Sequence, residues 1–153
     1  NGEAAAALAC VAGPRDTIYL VPPGAYPYDL PFLAQTQHPF VEVQDWPLQR
    51  QIAGDSWRRE LMDAGDFAPE IAAQVLQPPD ALPRAASEPQ RWLLTGPRSV
   101  PETHANTYSR MGWRPVYDDR RWTLWQSAPE SPETAEQERL PGCHQQPGDQ
   151  RRP

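Results

Sequence analysis

The sequence predicts an α/β fold: a small, partly parallel sheet with flanking helices, a C-terminal antiparallel hairpin and a disordered Pro-rich tail. Three observations carry that prediction. Short β-branched and aromatic runs alternate with helical patterns, and such alternation calls for strands joined by helical crossovers. Six Trp and five Tyr in 153 residues argue against wholesale disorder, because disordered chains are poor in aromatics. Several of the 20 prolines, among them Pro14, Pro22, Pro23 and Pro97, bound the apolar runs and punctuate the chain into short elements.

The elements follow in order. Glu3 to Val11 is alanine-rich and reads as a helix stopped by Gly13-Pro14. Thr17-Ile18-Tyr19-Leu20-Val21 is a buried-strand run ending at Pro22-Pro23-Gly24. Tyr28 to Gln35 is a short helix or helical turn. Pro39 to Val43 is a second strand, ending at Asp45-Trp46-Pro47. Ser56 to Gly65 is helical, with Trp57, Leu61 and Ala64 on one face, Asp55 or Ser56 as cap and Gly65 as its end. Asp66 opens another helix, Phe67 to Leu76, with Ile71 and Val75 as an apolar pair and Pro78-Pro79 as terminator.

Asp80 to Pro89 reads as a loop. Arg91-Trp92-Leu93-Leu94-Thr95 is a third strand, stopped by Gly96-Pro97. Ser99 to Glu102 has capping-box spacing, and the helix it opens runs through Tyr108 and Met111 to Gly112. Trp113–Tyr117 and Trp122–Trp125 are two aromatic strands around Asp118-Asp119-Arg120-Arg121, which predicts a terminal hairpin.

From Ser127 the texture changes. Residues 127–153 hold five prolines, no aromatic and a single Leu, Leu140. Such a segment buries too little apolar surface to offset its ordering entropy. The expected organisation is therefore a helical stub at 1–13, an α/β domain at 14–126 and a disordered tail at 127–153.

Composition also excludes function classes. A net charge of -6 with a pI near 5.0 is the wrong sign for a nucleic-acid binder. All 14 basic residues are Arg, so a P-loop lysine, a Schiff-base lysine and a PLP site are ruled out. No apolar stretch approaches the roughly 20 residues of a membrane span. Two cysteines, Cys10 and Cys143, cannot make a disulfide scaffold. They can pair in an oxidising compartment, but two free thiols is the expectation favoured by their placement at opposite ends.

Several constellations bear on chemistry. His38, His104, Cys143 and His144 are the conventional metal candidates, with Cys10, but no ordered pair has ligand spacing. No metal site and no cofactor is expected. There is no G-x-S-x-G nucleophile elbow and no G-x-G-x-x-G phosphate loop, and Pro22 and Pro23 remove backbone donors where such a loop would lie. Asp29 and Asp45 follow the first two strands, at the edge where ligand crevices open in α/β sheets; each also suits a turn or cap. Trp92, Trp113, Tyr117, Trp122 and Trp125 suit either a sugar-stacking platform or a core, and a core is the commoner fate of such residues. Arg110-Met111-Gly112-Trp113 with Val116-Tyr117-Asp118 resembles a helix-to-strand turn of GNAT-type acetyltransferases, whose pyrophosphate-binding loop has no counterpart here.

Three stretches carry a broader resemblance. They are Tyr26-Pro27-Tyr28-Asp29-Leu30-Pro31-Phe32, then Pro39-Phe40-Val41-Glu42-Val43-Gln44-Asp45-Trp46, then Gly54-Asp55-Ser56-Trp57-Arg58-Arg59-Glu60-Leu61-Met62-Asp63-Ala64-Gly65-Asp66-Phe67. Together they resemble the soluble C-terminal part of bacterial family-39-type membrane glycosyltransferases, a group related to the protein O-mannosyltransferases and the aminoarabinose lipid A transferase. The closing strand pair from Gly112 to Trp125 is similar to their chain ends. The resemblance covers residues 14–126, and none of its motifs is a catalytic signature.

The resemblance implies a GT-C enzyme of the bacterial inner membrane. It would move a sugar from a polyprenyl-phosphate donor to a lipid or protein acceptor, with this domain on the periplasmic side. Residues 1–13 would be the stub after the last span. The catalytic acid of such enzymes lies in an early external loop, so no catalytic residue is expected in this chain. The domain would cap the active site, with Asp29, Asp45 and Trp46 as binding residues. Two alternatives stay open: a free-standing soluble α/β binding or interaction domain, and a small acyltransferase.

Overall fold

The computed structural model describes residues 2–13, 16–21, 27, 29–35, 40–84, 91–96, 102–119 and 121–127, with the side chains of 102–105 excepted. The expected tail beyond Ser127, the Pro22-Pro23-Gly24 and Pro97 strand stops, Ser99 of the capping box, His38, Cys143 and His144 lie outside the described residues.

Six strands form one sheet in the order β3-β2-β1-β4-β6-β5. They are β1 (Thr17–Val21), β2 (Val41–Val43), β3 (Leu76–Gln77), β4 (Arg91–Thr95), β5 (Trp113–Asp118) and β6 (Thr123–Ser127). β1 pairs parallel with β2 and β4, and β2 pairs parallel with β3. β6 runs antiparallel to both β4 and β5. The predicted mixed sheet with a C-terminal hairpin is what the chain forms.

Alternation along the strands sorts side chains into two cores. Ile18, Leu20, Trp92, Leu94 and Leu124 face one side. There they meet Ala4, Ala5 and Leu8 of α1 (Gly2–Val11) and Leu30 of α2 (Leu30–Leu33). Val43, Leu93 and Trp125 face the other side, against Leu82, Trp113 and Tyr108 of α6 (Glu102–Arg110). The result is a sheet between two layers. The four tryptophans Trp92, Trp113, Trp122 and Trp125 are buried, so they are core residues, not a stacking platform.

The middle of the chain departs from expectation. Asp45-Trp46-Pro47 does not merely end a strand; it starts a helix, α3 (Trp46–Ile52), with Asp45 at its N-cap and Pro47 in the first turn. Proline fits there because the first N–H groups have no intrahelical acceptor. α4 (Trp57–Phe67) runs through Gly65 instead of ending at it. A Cβ at Gly65 would meet the Ala72 Cβ at 3.0 Å, so the glycine serves close approach of α5 (Pro69–Val75), not a C-cap. The break falls at Ala68, whose φ of -134° is extended, as expected for the residue before a proline. The buried residue of α4 is Met62, and Ile71 of α5 is exposed. The predicted Trp57/Leu61/Ala64 stripe and Ile71/Val75 pair are thus only partly covered: Trp57, Leu61 and Val75 are half-buried, and Ala64 and Ile71 are exposed. A two-residue strand, β3, was not legible between α5 and the Pro79–Ala81 3-10 turn.

Loop ends are locally determined. Gly112 has φ 88° and ends α6 as predicted, in the left-handed region that glycine tolerates. In the β5–β6 hairpin, Asp119 accepts the Trp122 N–H at 2.6 Å on Oδ1 and the Tyr117 hydroxyl at 2.6 Å on Oδ2. Thr123 Oγ1 donates to Asp118 at 2.9 Å. Both edges of the sheet are irregular: β3 is two residues long, and β5 carries Pro115 with a register shift before Tyr117.

Candidate functional site

In a parallel sheet the strands deliver their following loops to one edge, and ligand sites gather there. β1, β2 and β4 are mutually parallel or share β1 as neighbour, so Val21, Val43 and Gly96 all reach that carboxyl edge. The Gly96 N–H donates to the Val21 carbonyl at 3.2 Å, closing β4 onto β1.

Of the residues singled out in the sequence, Asp45 and Trp46 follow β2 directly. Asp29 sits at the N-cap position of α2 and is exposed; its side chain makes no capping bond to the helix. Asp45 caps α3, accepting the Leu48 N–H at 3.0 Å on Oδ1. Trp46 is buried, and its indole N–H donates to the Glu42 carbonyl at 3.3 Å. The structure thus brings Asp45 and Trp46 into one strand-to-helix turn, whereas Asp29 stands at the head of α2, between β1 and β2 in the chain.

A second group at the same edge was not predicted. Glu42 lies mid-strand between Leu20 and Leu76 and is 3% exposed. Gln44, two residues on and on the same face, accepts the Arg58 Nε–H at 2.8 Å. The Arg58 guanidinium lies 4.2 Å from the centroid of the Trp57 ring, within cation–π range. Desolvation pulls the Arg58 pKa down while the Glu42 charge pushes it up, with desolvation the larger effect. The guanidinium nonetheless stays charged at neutral pH. Gln44 Nε2 and Ser56 Oγ are buried without a protein partner among the described residues, an arrangement suited to an ordered water.

The sequence held a signal for this group. Period-two alternation turns Glu42 to the face opposite Val41 and Val43, and an acid inside a short parallel strand needs a cation. Arg58 lies on α4, in the stretch Asp55-Ser56-Trp57-Arg58 that reads as a helix cap. The group ties β2 to α4 by charge and hydrogen bonding. Its polar atoms are suited to holding water or a hydroxylated group.

Metal ligation has little to build on. Among the described residues no cluster of three or more His, Cys, Asp or Glu is placed to hold an ion. Cys10 is disulfide-bonded. The expectation of two free thiols is thereby overturned.

The class defined by this architecture is a mixed, centrally parallel α/β sheet domain with an antiparallel hairpin at one edge. Solved structures share it. One is the crystal structure of ArnT from Cupriavidus metallidurans bound to undecaprenyl phosphate, with a TM-score of 0.55 and 18% identity over 83% of this chain. Another is the same ArnT in the apo state, with a TM-score of 0.54 and 17% identity over 83% of this chain. This chain spans 19% and 20% of the two ArnT chains, so the likeness is to about a fifth of that protein. At this identity it is a likeness of fold. No family model matches the chain, and no curated protein matches it. Among the described residues no helix is long and apolar enough to cross a membrane.

Proposed function

We propose that this chain is the C-terminal extracytoplasmic domain of a bacterial inner-membrane glycosyltransferase of the family-39 type. The parent enzyme moves a sugar from a polyprenyl-phosphate donor to a lipid or protein acceptor. This domain caps the active site and does not carry catalysis. The observation that supports the reading most is the fold shared over 83% of this chain with an ArnT bound to undecaprenyl phosphate. The resemblance of residues 14–126 to the same group supports it from the sequence side.

In this reading the carboxyl edge faces the donor and acceptor. Asp29, exposed at the head of α2, is the residue best presented to a ligand. Asp45 and Trp46 shape the neighbouring turn through their cap and indole bonds.

The test is the reading frame that runs into Asn1, followed by transfer assays on its product in membranes. The expected result is several runs of roughly 20 apolar residues upstream and sugar transfer from a polyprenyl phosphate. Asp29→Ala and Asp45→Ala alter that transfer at normal expression, and Asp45→Asn, which keeps a capping side chain, separates cap from contact. A start codon or signal peptide immediately upstream sinks the assignment and leaves a free-standing binding domain. Binding of acetyl-CoA in a calorimeter would favour an acyltransferase instead.

A further inference from the structure

Four half-buried side chains meet where β2 hands over to the helices: Gln44, directly after β2, and Ser56, Trp57 and Arg58 at the start of α4. Arg58 organises them. Its Nε–H donates to Gln44 Oε1 at 2.8 Å, and its guanidinium lies 4.2 Å from the centroid of the Trp57 ring. Because Oε1 is engaged, the Gln44 amide presents Nε2 elsewhere. Nε2 is buried without a protein partner among the described residues, and so is Ser56 Oγ. Ser56 stands at the N-cap of α4 in extended backbone, yet its hydroxyl makes no capping bond. That bond ordinarily contributes about 1 kcal/mol. The helix also opens with two arginines, Arg58 and Arg59, at the end where its dipole disfavours cations. Local rules broken together in this way mark a place shaped by something besides stability.

The balance of charge selects the ligand. Arg58 lies in the field of the Glu42 carboxylate, and Arg59 is paired with Asp63 at 3.0 Å. Each cation has its acid, so no net positive charge remains to hold an anion. What remains is neutral and polar: an amide NH2 that donates twice, and a hydroxyl that both donates and accepts. An indole ring stands beside them. An aromatic wall with a few placed polar groups is the usual make-up of a small-ligand site. We infer that the β2–α4 junction binds a neutral polyhydroxylated ligand, a sugar or sugar-like ring. One ring hydroxyl oxygen accepts from Gln44 Nε2, and a neighbouring hydroxyl exchanges a hydrogen bond with Ser56 Oγ. The inference stands on these side chains alone and requires no glycosyl transfer.

The experiment titrates the full 153-residue chain and follows the Gln44 side-chain amide and the Trp57 indole N–H by heteronuclear NMR. The probes are methyl β-glucoside and, separately, inorganic phosphate. The glucoside is expected to move both signals saturably, and phosphate to leave them in place. Ser56→Ala should weaken the glucoside about three- to tenfold, the worth of one hydrogen bond. Stability should change little, because the hydroxyl caps nothing. Gln44→Glu keeps an acceptor for Arg58 but removes the amide donors; it should abolish the Trp57 response while the backbone spectrum stays that of a folded chain. Signals that follow phosphate and not the glucoside would overturn the inference in favour of an anion site. Signals that follow neither would overturn it in favour of enclosed water, as would a Ser56→Ala chain that binds as tightly as the wild type. A start codon directly upstream of Asn1 sinks the glycosyltransferase reading and leaves this result untouched, so the two fail separately.

Discussion

The indole N–H of Trp92 donates to Asp16 Oδ2 at 2.8 Å, across 76 residues of sequence. The same oxygen accepts the Gly13 N–H at 2.8 Å. One carboxylate therefore joins the end of α1 to the core strand β4 and satisfies a buried indole. Asp16→Ala leaves that N–H unpaired in the core, which costs about 1–3 kcal/mol. Urea unfolding measures the loss; an unchanged midpoint would refute the linkage.

Arg58 is predicted to stabilise the fold more than an exposed arginine does. It bonds Gln44 and lies in the field of the buried Glu42. Arg58→Ala removes a charged hydrogen bond, worth about 1.5–3 kcal/mol. It also leaves Glu42 with less compensating charge. The double change Glu42→Leu with Arg58→Leu should cost less than the sum of the single changes. Strict additivity in a double-mutant cycle would show that the two groups do not communicate.

Gly65→Ala should fail to stabilise α4. Helix propensity alone predicts a gain of about 1 kcal/mol. The new Cβ, however, meets the Ala72 Cβ at 3.0 Å, closer than packed carbons sit. Adding Ala72→Gly should recover part of the gain despite its own propensity cost. A rise in thermal midpoint for Gly65→Ala alone would show that α5 moves away freely.

The hairpin turn should titrate. Burial pushes the Asp119 carboxyl up, but hydrogen bonds from Tyr117, Arg121 and Trp122 together hold it below its ordinary value. Its contribution to stability is full above the unfolded carboxylate pKa, near 3.9, and is lost as pH falls through the lower folded value. Tyr117 is shifted upward, by burial first and by its bond to Asp119 second. Its contribution is full below the unfolded phenol value, near 10, and fades as pH rises above it. Asp119→Asn should flatten the acid limb of a stability–pH profile. A profile unchanged below pH 4 would contradict this account.

Capping by Asp45 should be measurable without any ligand. Asp45→Ala removes the bond to the Leu48 N–H and costs about 1 kcal/mol. Asp45→Asn should retain most of it. Equal losses for the two variants would mean that the aspartate's charge, not its cap geometry, matters.

How much of this was legible in the sequence depends on where the information lies. β1, β4 and the hairpin were readable because Ile18, Leu20, Leu93, Leu94 and Trp125 sit in apolar runs bounded by turn residues. Gly112 was readable because a positive φ after a helix is a local demand. α3 was not, because Asp-Trp-Pro reads equally as a turn and as a capped first turn. Gly65 misled for the complementary reason: its role is set by Ala72 on another helix, and spacing along one helix cannot show that. At the candidate site, the position of Asp45 and Trp46 just after β2 was readable from the end of an apolar run. Glu42 and Arg58 escaped notice because their partnership links a strand to a helix 16 residues on. The indole bond of Trp92 to Asp16 is still more distant.

The two sheet margins have a consequence for how the protein behaves in company. At one margin β3 offers only Leu76 and Gln77, too few rungs to template an incoming chain. At the other, Pro115 withholds a donor and the irregularity before Tyr117 breaks the ladder's spacing. Among the described residues, neither margin offers a long regular edge to template cross-β stacking of neighbouring molecules. These two margins should therefore resist strand-by-strand addition of a neighbouring chain, so that contacts formed there go through side chains and not through shared backbone ladders.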